Sequence, residues 1–152
     1  MDTVLVYLID DGKKWNPGTK LGNKVKTLSK VLPAEIIGSL KQIIKVGNKG
    51  AHQNTHKKLT PEEIQESLEN LSLICEWILL HYFQKYGFEN HPWIPTIFST
   101  LPPEYRARIL EELYETQKTH FVIDKLAMAY LKMGDHKQSI RFIQQCCDKG
   151  EI

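Results

Sequence analysis

From Thr60 to Phe83 the apolar residues recur at helical spacing for about six turns, and this run limits the fold more than any other part of the chain. Ile64, Leu68, Leu71, Ile74, Cys75, Ile78, Leu79, Tyr82 and Phe83 carry the pattern. Its start is written just as clearly. Thr60 can cap, Pro61 can open the first turn, and Glu63 stands where a capping box needs an acid, with Glu62 beside it at the positive helix end. Gly87 marks the stop. No other element is as long or as apolar, so it is expected to form the spine of the core.

No stretch alternates with the two-residue period of a strand, and the fold class expected is all-α. Val4, Leu5, Leu8 and Ile9 suggest a short first helix, ended by Asp11-Gly12 and Trp15-Asn16-Pro17-Gly18. Leu21, Val25 and Leu28 suggest a second. Pro33 then suits a first helical turn, and Ile36, Ile37, Leu40, Ile43 and Ile44 make one apolar stripe. The helix near 61–86 is expected to pack antiparallel on the helix near 33–52 across Ile36, Leu40, Ile43, Leu71, Ile74 and Ile78. Gly87, Asn90, Pro92, Pro95, Pro102 and Pro103 crowd breakers into one region. The domains expected are therefore a bundle over 1–88, a linker over 89–102 and a helical region over 103–152. Helices near 103–117, 119–133 and 136–148 follow, the last two joined by Gly134-Asp135 as a hairpin.

Composition narrows the class. Apolar residues make up 41% and charged ones 25%, as in an ordinary globular protein. No run approaches the roughly eighteen apolar residues of a membrane span, and the first residues lack a basic, then apolar, leader. Cys75, Cys146 and Cys147 are too few and too oddly placed for a disulfide or metal framework, so reduced thiols and a cytoplasmic location are expected. Charge is uneven. Residues 1–60 hold eleven lysines against four acids, and residues 61–152 hold nine basic residues against fourteen acids. An anionic partner for the first half, or simply a solvated lysine surface, would explain the surplus.

Chemistry is concentrated where the apolar helix runs into Lys45-Val46-Gly47-Asn48-Lys49-Gly50-Ala51-His52. Two glycines within one turn cost about 1 kcal/mol each against alanine, so the backbone or a partner is expected to come close there. If the helix persists, Lys45, Asn48 and His52 share a face. A cation, an amide and an imidazole on one edge suit a phosphodiester: charge stabilisation, orientation and proton transfer. The same residues also describe a helix end, with Gly50 as cap and His52 near the negative dipole. Lys41, Lys49, Lys57 and Lys58 would extend a basic surface. His52 and His56 have a spacing compatible with zinc, but no third ligand is evident, so neither a metal site nor a cofactor is expected. Trp15, Trp77 and Trp93 are expected as core or hinge plugs.

With Leu32-Pro33 before an amphipathic helix, the Gly47-Asn48-Lys49-Gly50-Ala51-His52 segment, Thr60-Pro61-Glu62-Glu63 and a long helix holding Glu76-Trp77, residues 18–86 resemble the HEPN superfamily. The nearest branch carries a pattern of Arg-x-x-Gly-Asn-x-x-x-His and occurs alone or fused to restriction and defence proteins. The resemblance implies a helical bundle, a homodimer and, in active members, a metal-independent endoribonuclease with paired motifs. It maps the histidine to His52 and the internal pair to Gly47 and Asn48. The arginine's place falls at Ile44, and Lys45 is the nearest cation, which lacks a bidentate fork. Further on, Leu126 to Asp135 followed by Ser139, Ile140, Ile143 and Cys146 resembles one tetratricopeptide repeat, with Ala127 and Ser139 allowing close approach and Tyr130 filling the groove. An ordinary hairpin would read the same way.

Two functions fit. One is an RNA-binding protein or weak endoribonuclease in defence or stress, with His52, Lys45 and Asn48 as its centre. The other is a non-catalytic module that docks a protein through residues 103–148. The partners expected are RNA, a protein and a second copy, without a membrane.

Overall fold

The computed structural model describes residues 15–16, 18–51, 58–88 and 98–148. Their regular structure is helical, with no strand among the described residues: α1 (Leu21–Leu28), α2 (Ala34–Ala51), α3 (Pro61–Tyr86), α4 (Pro103–Thr116), α5 (His120–Met133) and α6 (His136–Asp148). No helix among the described residues is long and apolar enough to cross a membrane. The helix expected around Val4 and most of the breaker-rich segment after Phe88 lie outside the described residues.

By its internal packing the chain divides into two units, and the division falls between Ile78 and Leu79, inside α3. The sequence points instead to 89–102. Gly87 follows the end of α3 and Pro103 opens α4, whereas the division follows where the chain packs on itself. The first five turns of α3 thus belong with α1 and α2, and the last two with α4, α5 and α6.

In the first unit, α1 contributes Val25 and Leu28, the connection contributes Leu32, α2 contributes Ile36 and Ile37, and α3 contributes Ile74. Leu40, Ile43 and Ile78 pack around them as expected, and Trp15 and Trp77 serve as plugs. Leu71 does not. It is 49% exposed, and Ile64, Leu68 and Cys75 are exposed beside it. These four residues share one side of α3, while Ile74 lies about a quarter of a turn round the helix and Leu73 and Trp77 nearly half a turn. The cluster is met mainly from the second side, and from the first only by Ile78, about two turns beyond Leu71. The helix is therefore not the spine of one core, because over roughly its first four turns one of its two apolar sides stays exposed.

The start of α3 follows the sequence closely. Thr60 Oγ1 accepts from the Glu63 N–H at 3.3 Å, and Glu63 Oε2 accepts from the Thr60 N–H at 3.0 Å, a reciprocal capping box. At the other end Gly87 takes φ 80 and donates its N–H to the Phe83 carbonyl at 2.8 Å.

In the second unit α4 packs on α5 and α5 on α6. Leu110, Leu113, Val122, Ile123, Leu126 and Phe83 are fully buried in a single cluster, and each large apolar side chain stabilises by about 1.5–3 kcal/mol. Thr119 caps α5 by accepting from the Val122 N–H at 3.3 Å. Gly134 ends it at φ 79, a left-handed turn that side chains disfavour. Asp135 then accepts from the Gln138 N–H at 3.1 Å to start α6. The result is the expected helical hairpin. Ala127 and Ser139 are buried in it, Tyr130 stacks on Phe142 at 5.7 Å, and the Tyr130 hydroxyl donates to Glu111 of α4. Ile140 and Ile143 of α6 remain exposed.

Candidate functional site

α2 does not stop at its glycines. It stays helical through Gly47 and Gly50 to Ala51, so Gly50 is no left-handed cap. The two glycines differ. A side-chain carbon at Gly50 would stand 3.0 Å from Leu59 Cδ1, whereas one at Gly47 would meet nothing within 4 Å. The close approach that the sequence implies is thus found at Gly50, where the incoming chain lays Leu59 against the helix.

Because the helix continues, Lys41, Lys45 and Asn48 fall on one face at i, i+4 and i+7, and all three are exposed. Lys45 stands about 6 Å along the axis from Lys41, and Asn48 about 4.5 Å further. Lys58 is exposed as well. Two ammonium groups and an amide on an open helix face can hold a chain of phosphates by charge and hydrogen bonding.

Lys49 has a different task. Its Nζ lies 2.7 and 2.6 Å from the two carboxylate oxygens of Glu63, so it ties the end of α2 to the start of α3. The same carboxylate accepts the Thr60 N–H. The Lys49 hydrogen bond first, then the Thr60 N–H and the nearby charges of Lys49 and Lys45, hold the Glu63 carboxyl below its ordinary range. Glu62 is held low too, chiefly by its own backbone N–H and by Thr60. Lys49, expected on the nucleic-acid surface, is instead engaged by an acid. The reason is that the acidic first turn of α3 arrives beside the basic last turn of α2.

His52, the expected proton-moving group, and Lys57 lie outside the described residues, as do His56 and Trp93. The site therefore comprises Lys45 and Asn48 of the expected catalytic set and Lys41 of the expected binding set, with the Lys49–Glu63 pair beside them. Lys58, by contrast, is exposed next to Leu59, which packs at Gly50 about half a turn from Lys41. Glu63 was legible only as a capping residue. Its second role depends on a contact across the segment between α2 and α3, which helical period alone does not encode.

No protein family, curated protein or solved structure matches this chain, so the functional reading rests on the residues themselves.

Proposed function

We propose that this chain is a nucleic-acid-directed helical protein that binds RNA along α2, resembles the HEPN superfamily, and cleaves weakly without metal where His52 completes the motif. The observation that carries the reading is the unbroken run of α2 past Gly47, which keeps Lys41, Lys45 and Asn48 exposed on one face of the lysine-rich half. In this reading the ammonium groups hold the phosphates, and Asn48 orients one of them. His52 takes the 2′-hydroxyl proton or returns one to the leaving 5′-oxygen, while Lys45 offsets the charge that builds on phosphorus. A homodimer would bring two such motifs together in defence or stress.

The test is RNA binding and cleavage by the full chain across a salt series. Lys45→Ala should weaken binding and flatten its salt dependence, since one fewer counterion is released. Lys45→Arg should raise cleavage through its two-pronged grip, and His52→Ala should abolish it while binding survives. Light scattering at tens of micromolar, roughly the range of a weak dimer, should give twice the chain mass. Binding that ignores both Lys41 and Lys45 would end the nucleic-acid reading.

A second reading has its own support. Ile140 and Ile143 lie exposed on α6, and a hairpin open on that side is what a protein-docking module would present. RNA binding by wild type that responds to Lys45 discriminates against it.

A further inference from the structure

Away from α2, in the second unit, a cavity of about 360 Å³ opens between the start of α4, one face of α5 and two phenylalanines. Its lining is Phe88, Phe98, Ser99, Arg106, Lys125, Met128 and Lys132. Phe88 and Phe98 are buried and meet edge to face at 5.1 Å and 81°, and both are braced edge-on against Phe83 at 4.6 and 5.6 Å. They make a firm apolar floor, to which Met128 adds an adaptable edge. On α5, Lys125, Met128 and Lys132 follow at i, i+3 and i+7, so two cations share one wall.

Arg106 is the unusual member. It sits on α4, is only 8% exposed, and its guanidinium Nε has no hydrogen-bond partner. A buried guanidinium is costly unless an anion meets it. Among the described residues that line the cavity there is no carboxylate. Of the two lysines, Lys125 is partly compensated by Asp124 at 2.9 Å and lies over the Phe121 ring at 4.9 Å, while Lys132 is exposed. Among the described residues the cavity therefore combines a buried arginine whose Nε has no partner, a second, exposed cation and an aromatic floor. Its volume is at the small end of ligand pockets.

We propose that this cavity binds a small amphipathic anion, a carboxylate or phosphate monoester on a short apolar body. The oxyanion pairs with the Arg106 guanidinium, the apolar body lies on Phe88, Phe98 and Met128, and Lys132 closes over the head group. Arginine fits because its planar fork presents parallel donors to two oxygens of either head group. The site lies in the other unit from α2 and is independent of the RNA reading.

Calorimetry on the full chain with octanoate, octyl phosphate, octanol, acetate and inorganic phosphate tests it. Octanoate or octyl phosphate should bind at least tenfold more tightly than octanol and than the head groups alone, and their ratio identifies the preferred head group. Arg106→Met should weaken that binding tenfold or more while the melting temperature holds or rises, because an unpaired buried charge is removed. Lys132→Gln, at an exposed position that cannot unfold the chain, should weaken it a few-fold and reduce its salt dependence. Neither change should alter RNA binding, which separates failure here from failure at α2. Equal binding of octanol and octanoate, no binding of either anion at millimolar concentration, or wild-type affinity in Arg106→Met would overturn the proposal.

Discussion

The helices α4 and α5 and the first half of α3 all carry regular apolar patterns, yet the structure treats them differently. In α4 and α5 the patterned residues Leu110, Leu113, Val122 and Leu126 are buried against one another. In α3 the patterned residues Ile64, Leu68 and Leu71 face outward. The links explain the contrast. Three residues separate α4 from α5 and two separate α5 from α6, and links so short oblige successive helices to lie side by side with their apolar stripes in contact. Between α2 and α3 the link is nine residues long, and the pattern on α3 does not decide which of its two apolar sides meets α2. Periodicity identifies residues that share a face. It does not supply the surface that covers the face.

Truncating side chains gives the largest test of that contrast. Leu126→Ala should cost about 2–5 kcal/mol in urea unfolding, as a fully buried leucine does, whereas Leu71→Ala should stay within about 0.5 kcal/mol. A large loss at Leu71 that grows with protein concentration would mean that a second copy covers α3. Capping should, by contrast, treat the two units alike: Thr60→Ala and Thr119→Ala should each cost about 1 kcal/mol, because both hydroxyls accept an N–H three residues on.

Glycine substitutions sharpen the comparison by sign. Gly47→Ala should stabilise by up to about 1 kcal/mol, since the helix gains a better former in open space. Gly50→Ala should gain less, because Leu59 has to give way. Gly134→Ala should destabilise by about 1 kcal/mol, its φ of 79 being left-handed. Thermal melts of the three variants would order them.

The smallest effects appear with pH and oppose one another. Glu63 is held low, so its contribution is present above the unfolded carboxylate value near ~4.3 and is lost as pH falls through the lower folded value. Tyr130 is pushed up to about 12, first by burial and then by its hydrogen bond to Glu111. Its contribution is complete below the unfolded value of ~10 and is lost as pH rises through about 12. Lys49→Gln should remove part of the acid-side loss, and Tyr130→Phe the alkaline-side loss, in melting curves across pH.

Local signals carried the fold far. Thr60, Pro61 and Glu63 located the start of α3, Gly87 its end, and Gly134-Asp135 the hairpin, because each acts on backbone groups within a few residues. What stayed hidden was long-range. Nothing near Leu71 announces that it stays exposed, nothing near Lys49 announces Glu63, and Arg106 reads as one more charged residue on a helix until Phe88 and Lys132 are brought beside it. At the candidate site the shared face of Lys41, Lys45 and Asn48 follows from helical period. The purpose of Gly50 does not, since it depends on where Leu59 returns.

Glu63 also has an evolutionary consequence. One carboxylate completes the cap of α3 and neutralises Lys49, so two traits are inherited through a single codon. Any replacement that cannot accept both bonds frees a cation beside Lys45 and loosens a helix in the same step. A lineage selected for a more basic α2 would arrive there quickly and carry a less stable scaffold. In a mutational scan such a change would look like a gain at the surface and a loss in abundance, although only one side chain had moved.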